Sequence, residues 1–211
     1  MSEANSFQRM WEERYSSDEY IFGKEPNDFL REHISDLPAG PVLCIADGEG
    51  RNSVFIAQHG HGVTSVDLTE VGPAKTRQLA DERGVTVNAI TADLEDFDLG
   101  NNEWSAVVSI FAHVPERLRV DIHRRIVGAL KPGGVLLLEA YTPAQVGRGT
   151  GGPPTPEMTM SLHALRGELA PLDFVYGVEL EREVIEGGGH TGVGCVVQVI
   201  AIKGTEDGGA V

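Results

Sequence analysis

Short apolar runs alternate with helical patterns along most of the chain. Runs rich in β-branched residues predict five strands, at 41–46, 62–67, 85–90, 104–111 and 135–141. The spacing of apolar residues between them predicts helices at 51–59, 69–83 and 115–130. Because the strand runs are apolar throughout, we expect a parallel sheet with helices on both faces.

Different patterns flank this central region. Two short helices are predicted at 7–15 and 25–34, the second with Pro26 in its first turn. Two strands, at 174–183 and 194–202, are joined by a glycine triplet, which predicts an antiparallel pair at the sheet edge.

Glycine and proline mark two further segments. Segment 142–157 is rich in both and is too long for a plain connection, so it is interpreted as a functional loop or lid. Segment 130–134, Leu-Lys-Pro-Gly-Gly, is interpreted as the end of a helix and a turn into the fifth strand.

The 211 residues carry a net charge of −15, which argues against a nucleic-acid or anionic-membrane surface. One domain is predicted over 1–203, with 1–38 as a helical cover and 204–211 as a flexible tail. No signal peptide or membrane span is predicted, and the expected location is the cytoplasm. The two cysteines lie far apart, and no metal site is predicted.

The first chemical motif follows the first strand. Gly48 and Gly50 form a turn into a helix, where the backbone can approach a ligand. Asp67 ends the next strand about 20 residues later, where a carboxylate can accept both hydroxyls of a ribose. An ordinary tight turn beside a solvated aspartate is the alternative.

The same turn helps to discriminate between nucleoside cofactors. A dinucleotide site favours a third glycine, but Ser53 occupies that position. Asp47 and Glu49 would repel a pyrophosphate and attract an ammonium and a sulfonium group, both of which S-adenosylmethionine carries.

A further acidic segment follows the third strand. Asp93 can accept a hydrogen bond from the amine of adenine, and Leu94 can pack against its ring. Acidic residues at such positions are commonly only solvated loop residues, which is the alternative interpretation.

Together the motifs at 43–52, 65–67, 92–93, 104–108 and 130–134 resemble class I S-adenosylmethionine-dependent methyltransferases. Segments 11–15, 23–30, 109–115 and 141–143 resemble the tellurite-resistance and thiopurine methyltransferase group. The resemblance implies a Rossmann-like seven-stranded α/β sheet of order 3-2-1-4-5-7-6, with the last strand antiparallel. Cys44 and Ala46 depart from it, standing where the family usually has an acidic residue and a glycine.

The resemblance also implies which residues contact the cofactor or its product S-adenosylhomocysteine. The predicted set combines the turn, the strand ends and the N-terminal cover: Ala46, Asp47, Gly48, Glu49, Gly50, Arg51, Asn52, Asp67, Leu68, Asp93, Leu94, Ile110, Phe111 and Tyr20. Trp11 and Tyr15 can join Tyr20 in the cover, or simply pack the first helix onto the core.

Substrate-side residues are expected at the carboxyl ends of the later strands. Candidate catalytic residues are His113, Tyr141 and His190, and Arg148 and Arg182 are candidates for binding an anionic substrate. The alternatives are a structural histidine at 113 and a surface ion pair between Arg182 and its acidic neighbours.

The sequence therefore predicts a methyltransferase that acts on a small molecule, with a thiol or a chalcogen oxyanion such as tellurite or selenite as candidate acceptors. In-line methyl transfer can then proceed mainly by alignment and exclusion of water. The alternatives are a catalytically silent cofactor-binding module and an NAD(P)-binding oxidoreductase. A monomer or a homodimer is expected.

Overall fold

All seven strands belong to one sheet. A computed structural model describes residues 3–205, with side chains from residue 6 onward. The strands are β1 (Pro41–Ile45), β2 (Gly62–Asp67), β3 (Val87–Thr91), β4 (Trp104–Ile110), β5 (Leu130–Tyr141), β6 (Asp173–Glu186) and β7 (His190–Ile202). Their order across the sheet is β3-β2-β1-β4-β5-β7-β6, and β7 runs antiparallel to both of its neighbours. The expected topology is confirmed.

Six α-helices connect and cover the strands: α1 (Glu3–Tyr15), α2 (Asp28–Glu32), α3 (Arg51–Gln58), α4 (Val71–Arg83), α5 (Glu116–Ala129) and α6 (Leu162–Glu168). Short 3-10 helices lie at Ile34–Asp36, Pro143–Gln145 and Pro156–Met158. The chain order of strands and helices from 41 to 141 follows the pattern predicted from the apolar runs.

Three element predictions need correction. The helix expected at 25–34 is shorter, because the Asn27 side chain caps the backbone N–H of Leu30 and starts α2 after Pro26. The fifth strand starts at Leu130 with no separate turn, and an irregularity in its pairing with β4 absorbs the glycines. The sequence analysis did not predict α6, whose first turn is capped by Ser161.

The core lies on both faces of the sheet, as fully apolar strands require. Leu136 and Leu138 of β5 face one cluster, which packs against α5 and α6. Leu137 faces the other cluster, which packs against α2, α3 and α4. Alternation along each strand therefore decides which face every later side chain occupies.

Within residues 3–205, no helix is long and apolar enough to cross a membrane. The predicted tail at 204–211 lies outside the described residues from 206 onward.

Strand β5 supplies a stability test. Leu137 is fully buried, so Leu137→Ala should lower the free energy of unfolding by about 2–5 kcal/mol through lost burial and a residual cavity. Urea denaturation measures this change. The matched control is Val175→Ala on β6, whose side chain is 61% exposed and whose removal should change stability by less than about 0.5 kcal/mol. Equal effects of the two variants would contradict the core assignment.

Candidate cofactor and substrate site

The turn after β1 has the close backbone approach that the sequence predicted. Gly48 and Gly50 have φ values of 62° and 88°, and Ala46 also lies in the left-handed region at 46°. A Cβ on Gly48 would lie 2.7 Å from the Tyr15 hydroxyl oxygen of α1. The turn therefore needs glycine at 48, and it holds Ala46 in a conformation that costs an L-residue about 1–2 kcal/mol.

Asp67 lies against this turn. One carboxylate oxygen accepts the N–H of Gly48 at 2.9 Å, and the other accepts the N–H and the hydroxyl of Thr69 at 3.0 and 2.7 Å. Burial raises the pKa of Asp67, while the bonds from Thr69 and Gly48 oppose that rise. The structure thus brings Asp67 to the end of β2 beside the glycine turn.

Asp47 and Glu49 occupy different environments. Asp47 accepts hydrogen bonds from the hydroxyls of Ser53 and Ser65, yet its burial raises its pKa to about 6. Glu49 is 4% exposed, pairs with Lys75 at 2.7 Å and accepts the N–H of Ile21 at 2.8 Å. The carboxylate of Glu49 is therefore already engaged by Lys75 and Ile21, and its cofactor contact stays a prediction.

Three other residues predicted to contact the cofactor, namely Arg51, Asn52 and Tyr20, make hydrogen bonds that fix the N-terminal segment. The Asn52 side chain accepts the N–H of Asn27 at 2.9 Å, and Arg51 donates to the carbonyl of Glu25. The Tyr20 hydroxyl donates to the carbonyl of Lys75 at 3.0 Å, and burial raises the pKa of that hydroxyl to about 12. These residues hold segment 20–27 over the turn, which is consistent with a cover.

Helix α1 completes this cover on the side of β2. Gln8 donates to the carbonyl of Leu68 at 3.1 Å, and Glu12 accepts the N–H groups of Glu70 and Val71 at the start of α4. Trp11 and Tyr15 stack with ring centroids 5.4 Å apart. Among the described residues, α1 thus packs against the end of β2 and the start of α4, and the cover over 1–38 stays a prediction.

The two residues predicted to contact adenine, Asp93 and Leu94, lie in different environments. The Asp93 side chain accepts the N–H of Glu95 at 2.9 Å and so stabilises its own turn. Leu94 is 6% exposed and belongs to the core cluster that packs on α5. Asp93 fits the loop alternative better, whereas Leu94 lines a cavity of about 10 Å³ with Ile45 and Ala112.

An aromatic cluster gathers at the ends of β4 and β5. Phe111 has a φ of 52° and stacks on Tyr141 with centroids 4.6 Å apart. His190 contacts Phe22, Phe111 and Tyr141 at 4.6, 4.9 and 5.2 Å. Ile110, by contrast, faces the core beneath the sheet. The structure therefore brings together Phe111, Tyr141 and His190, and adds Phe22 from the cover.

His113 lies behind this cluster and has both ring nitrogens occupied. Nδ1 lies 2.8 Å from the Met158 carbonyl oxygen, and Nε2 accepts the N–H of Tyr141 at 3.2 Å. Burial lowers its pKa to about 4. This neutral imidazole joins two backbone segments, so the geometry does not support its predicted catalytic role.

The two predicted anion-binding arginines cannot act together. Arg148 is exposed and pairs with Glu181, whereas Arg182 pairs with Glu139 through two bonds of 2.7 and 2.8 Å. Successive residues 181 and 182 of β6 point to opposite faces of the sheet. The structure therefore does not bring the two arginines together, and the ion-pair partner of Arg182 is Glu139 rather than the carboxylate of Glu181 or Glu183.

A buried polar network around Glu139 and Glu186 was not predicted from the sequence. Glu139 and Glu186 are 0% and 4% exposed, and the Asn27 side chain donates to both. Arg51 pairs with Glu186 at 2.7 Å. Glu139 could have been found from the sequence, since it interrupts an otherwise apolar strand. No feature of the sequence before the hairpin indicates that the side chain of Glu186 is buried.

The chemistry of these groups fits an S-adenosylmethionine site. A small pocket lies between Phe22 and Gly23 of the cover and Asp47, Glu49 and Arg51, and it encloses about 10 Å³, room for about one water molecule. Typical ligand pockets measure roughly 300–1,000 Å³, so Phe22 and Gly23 must shift for a cofactor to bind. Ionisable Asp47 and Asp67 remain the carboxylates that can face a cationic ligand.

Comparison with known proteins agrees with the fold and the turn. Residues 42–134 match the family model of a methyltransferase domain. An uncharacterized methyltransferase of Bacillus subtilis (strain 168), YbaJ, is 27% identical over 97 residues, which are 46% of this chain and 38% of that protein. The chain spans less than half the length of the curated relatives that it matches.

Two solved structures share the architecture over nearly the whole chain. One, described as "Conversion of a Disulfide Bond into a Thioacetal Group during Echinomycin Biosynthesis", has a TM-score of 0.76 at 18% identity and covers 98% of this chain and 94% of its own. TehB from Haemophilus influenzae has a TM-score of 0.68 at 18% identity, with 93% and 66% covered. The fold is that of class I methyltransferases, and the matched domain implies S-adenosylmethionine as cofactor.

Asp47 makes the electrostatics of the turn testable. Its folded pKa of about 6 lies above the unfolded value of about 3.9, so its contribution to stability is complete below pH 4 and is lost as pH rises through 6. Asp47→Asn should therefore stabilise the protein at pH 7.5 by the order of 2 kcal/mol.

Urea denaturation at pH 4 and pH 7.5 measures this difference. The amide oxygen of Asn can still accept from Ser53 and Ser65, which isolates the charge. Destabilisation at both pH values would contradict the assignment.

Proposed function

We propose that this chain is an S-adenosylmethionine-dependent methyltransferase that acts on a small molecule. The observation that carries the proposal is the contact of the β1 turn with Asp67 at the carboxyl ends of β1 and β2, beside the boundary between β1 and β4 where the strand order changes direction. Ligands of open α/β sheets bind at this position. The match of residues 42–134 to a methyltransferase domain supports the same conclusion.

Each residue has a proposed role in holding the cofactor. Asp67 accepts the ribose hydroxyls, which requires at least one of its three present bonds to open, because a carboxylate has about four acceptor sites. Asp47 faces the ammonium group, and the 46–50 turn carries the methionine part. When bound, S-adenosylmethionine supplies an electrophilic methyl group. Tyr15 and Phe22 exclude water, because α1 and segment 20–27 cover the turn.

The proposed acceptor is a small, soft nucleophile, either a thiol or a chalcogen oxyanion. The aromatic walls formed by Phe22, Phe111 and Tyr141 favour a polarisable atom. Glu139 and Arg182 are paired with each other and offer no free charge to a larger anion. The structural neighbour whose description concerns a disulfide and a thioacetal group also points to sulfur chemistry.

Binding of S-adenosylhomocysteine tests the cofactor assignment. Asp67→Ala should weaken binding at least about tenfold, or 1.4 kcal/mol, because the ribose loses its acceptor. Isothermal titration calorimetry measures the affinity, and Asp98→Ala, a change at an exposed aspartate that caps its own loop, is the matched control.

Three outcomes separate the alternatives. Unchanged affinity in Asp67→Ala would contradict the ribose role. Tight binding without methyl transfer to thiols, selenite or tellurite would favour a silent cofactor-binding module. Binding of NAD(P) in place of S-adenosylhomocysteine would favour an oxidoreductase.

A further inference from the structure

Two polar atoms of the aromatic cluster have no hydrogen-bond partner among the described residues. The Tyr141 side chain is fully buried, and its hydroxyl donates to nothing. His190 is 9% exposed and uses only Nδ1, which lies 3.4 Å from Glu186. Leaving a buried polar group unpaired costs about 1–3 kcal/mol, so an unpaired buried hydroxyl points to a ligand.

The partner of His190 fixes which ring nitrogen carries the proton. Burial alone would raise the pKa of Glu186, but the hydrogen bond from His190, the charge of Arg51 and the bond from Asn27 hold it at about 2. A carboxylate can only accept hydrogen bonds, so Nδ1 of His190 must be the donor. The neutral ring then presents the lone pair of Nε2.

The surroundings hold both groups in place. Arg51 and Asn27 each bind one oxygen of Glu186, at 2.7 and 2.8 Å, and so orient the carboxylate. Tyr141 is stacked on Phe111, and the backbone of Gly194 leaves no room beside its ring, since a Cβ there would lie 3.0 Å from the ring. Such preorganisation is what a reacting group requires.

The other buried histidines differ from His190. His113 has both nitrogens engaged by backbone groups. His123 also pairs with a glutamate, Glu168, at 2.7 Å, but α5 places it on the opposite face of the sheet. His190 therefore combines an oriented ring with a position beside the cover.

We propose that His190, positioned by Glu186, accepts the proton of a neutral thiol, and that the Tyr141 hydroxyl donates a hydrogen bond to the same sulfur atom. This inference rests on the proposed methyltransferase function and selects the thiol from the two acceptor classes. A protonated thiol needs a base, whereas an oxyanion does not.

The proton and electron balance is complete with these groups. A lone pair of the thiol sulfur forms the bond to the methyl carbon, and the bond from that carbon to the donor sulfur breaks with its electron pair remaining on the donor. The thiol proton passes to Nε2 of His190 and later to solvent. Tyr141 keeps its own proton throughout, because burial raises the pKa of its hydroxyl.

Two thiols of different acidity test the proposal. At pH 7, 2-mercaptoethanol is protonated, as a cysteine thiol of pKa about 8.5 is, whereas 4-nitrothiophenol is already a thiolate. His190→Gln should lower kcat for the first thiol by about 10²-fold or more and leave the second nearly unchanged. His59→Gln, on the surface at the end of α3, is the control. Equal losses for both thiols would overturn the base assignment.

The variant Tyr141→Phe tests whether the Tyr141 hydroxyl acts on the thiol or only stabilises the fold. Because the hydroxyl has no partner, its removal should leave the melting temperature unchanged or higher. The same change should lower turnover of 2-mercaptoethanol by about tenfold, the effect of one hydrogen bond of about 1.4 kcal/mol. A lower melting temperature together with unaltered turnover would show that the hydroxyl serves only folding.

A readout without turnover separates failure of this proposal from failure of the proposed methyltransferase function. Nitrogen NMR of the imidazoles should show the proton of the neutral His190 ring at Nδ1, and Glu186→Gln should weaken this tautomer preference. The charged and titratable groups around His190 are Glu186, Tyr141 and His113, with Arg51 and Arg182 behind Glu186. A ring protonated at Nε2 would refute the dyad, whereas absence of S-adenosylhomocysteine binding would refute only the proposed function.

Discussion

Two buried glutamates determine how the N-terminal segment lies on the sheet. Glu139 and Glu186 sit on one face, at exposures of 0% and 4%, and a buried carboxylate is tolerated only when it is paired and hydrogen-bonded. Asn27 donates to both, Arg51 pairs with Glu186, and Arg182 pairs with Glu139 at 2.7 Å and with Glu186 at 3.7 Å. Removing one partner of such a network typically costs 3–5 kcal/mol. The cover, the β1 turn and the hairpin are therefore held as one unit.

Strained backbone residues and the aromatic cluster lie together at the carboxyl ends of the strands. Ala46 and Phe111 both have left-handed φ values, one at the end of β1 and the other at the end of β4. Residues held in this way cluster at functional sites, because the surrounding structure must maintain them. The strained positions flank the change of strand direction, where an open α/β sheet binds its ligand. Fold and candidate chemistry thus converge on one crevice.

Much of the architecture could be predicted from the sequence, because its signals are local. Apolar runs located the strands, and the glycine triplet located the hairpin of β6 and β7. Asp67 was found by its spacing from the turn, and it does lie beside Gly48. The short α2 was overestimated because an asparagine cap after Pro26 outweighed the helical pattern.

Side-chain pairing was harder to predict because it depends on contacts across the chain. No residue near Glu49 in the sequence indicates that its ion-pair partner is Lys75. Arg182 pairs with Glu139 on another strand rather than with the carboxylate of Glu181 or Glu183. His113 follows β4, and His190 begins β7. Both ring nitrogens of His113 contact backbone groups, whereas His190 has a hydrogen-bond partner at Nδ1 alone among the described residues. Only the packed sheet distinguishes a structural histidine from a candidate base.

A crystal structure with S-adenosylhomocysteine bound would test the central claim most directly. The account predicts the ribose hydroxyls within hydrogen-bond distance of Asp67, the homocysteine part along residues 46–50, and the sulfur directed toward Tyr141 and His190. It also predicts that Phe22 and Gly23 are displaced, since the present pocket encloses only about 10 Å³. A ligand bound away from Asp67, or with its sulfur turned from the aromatic cluster, would contradict it.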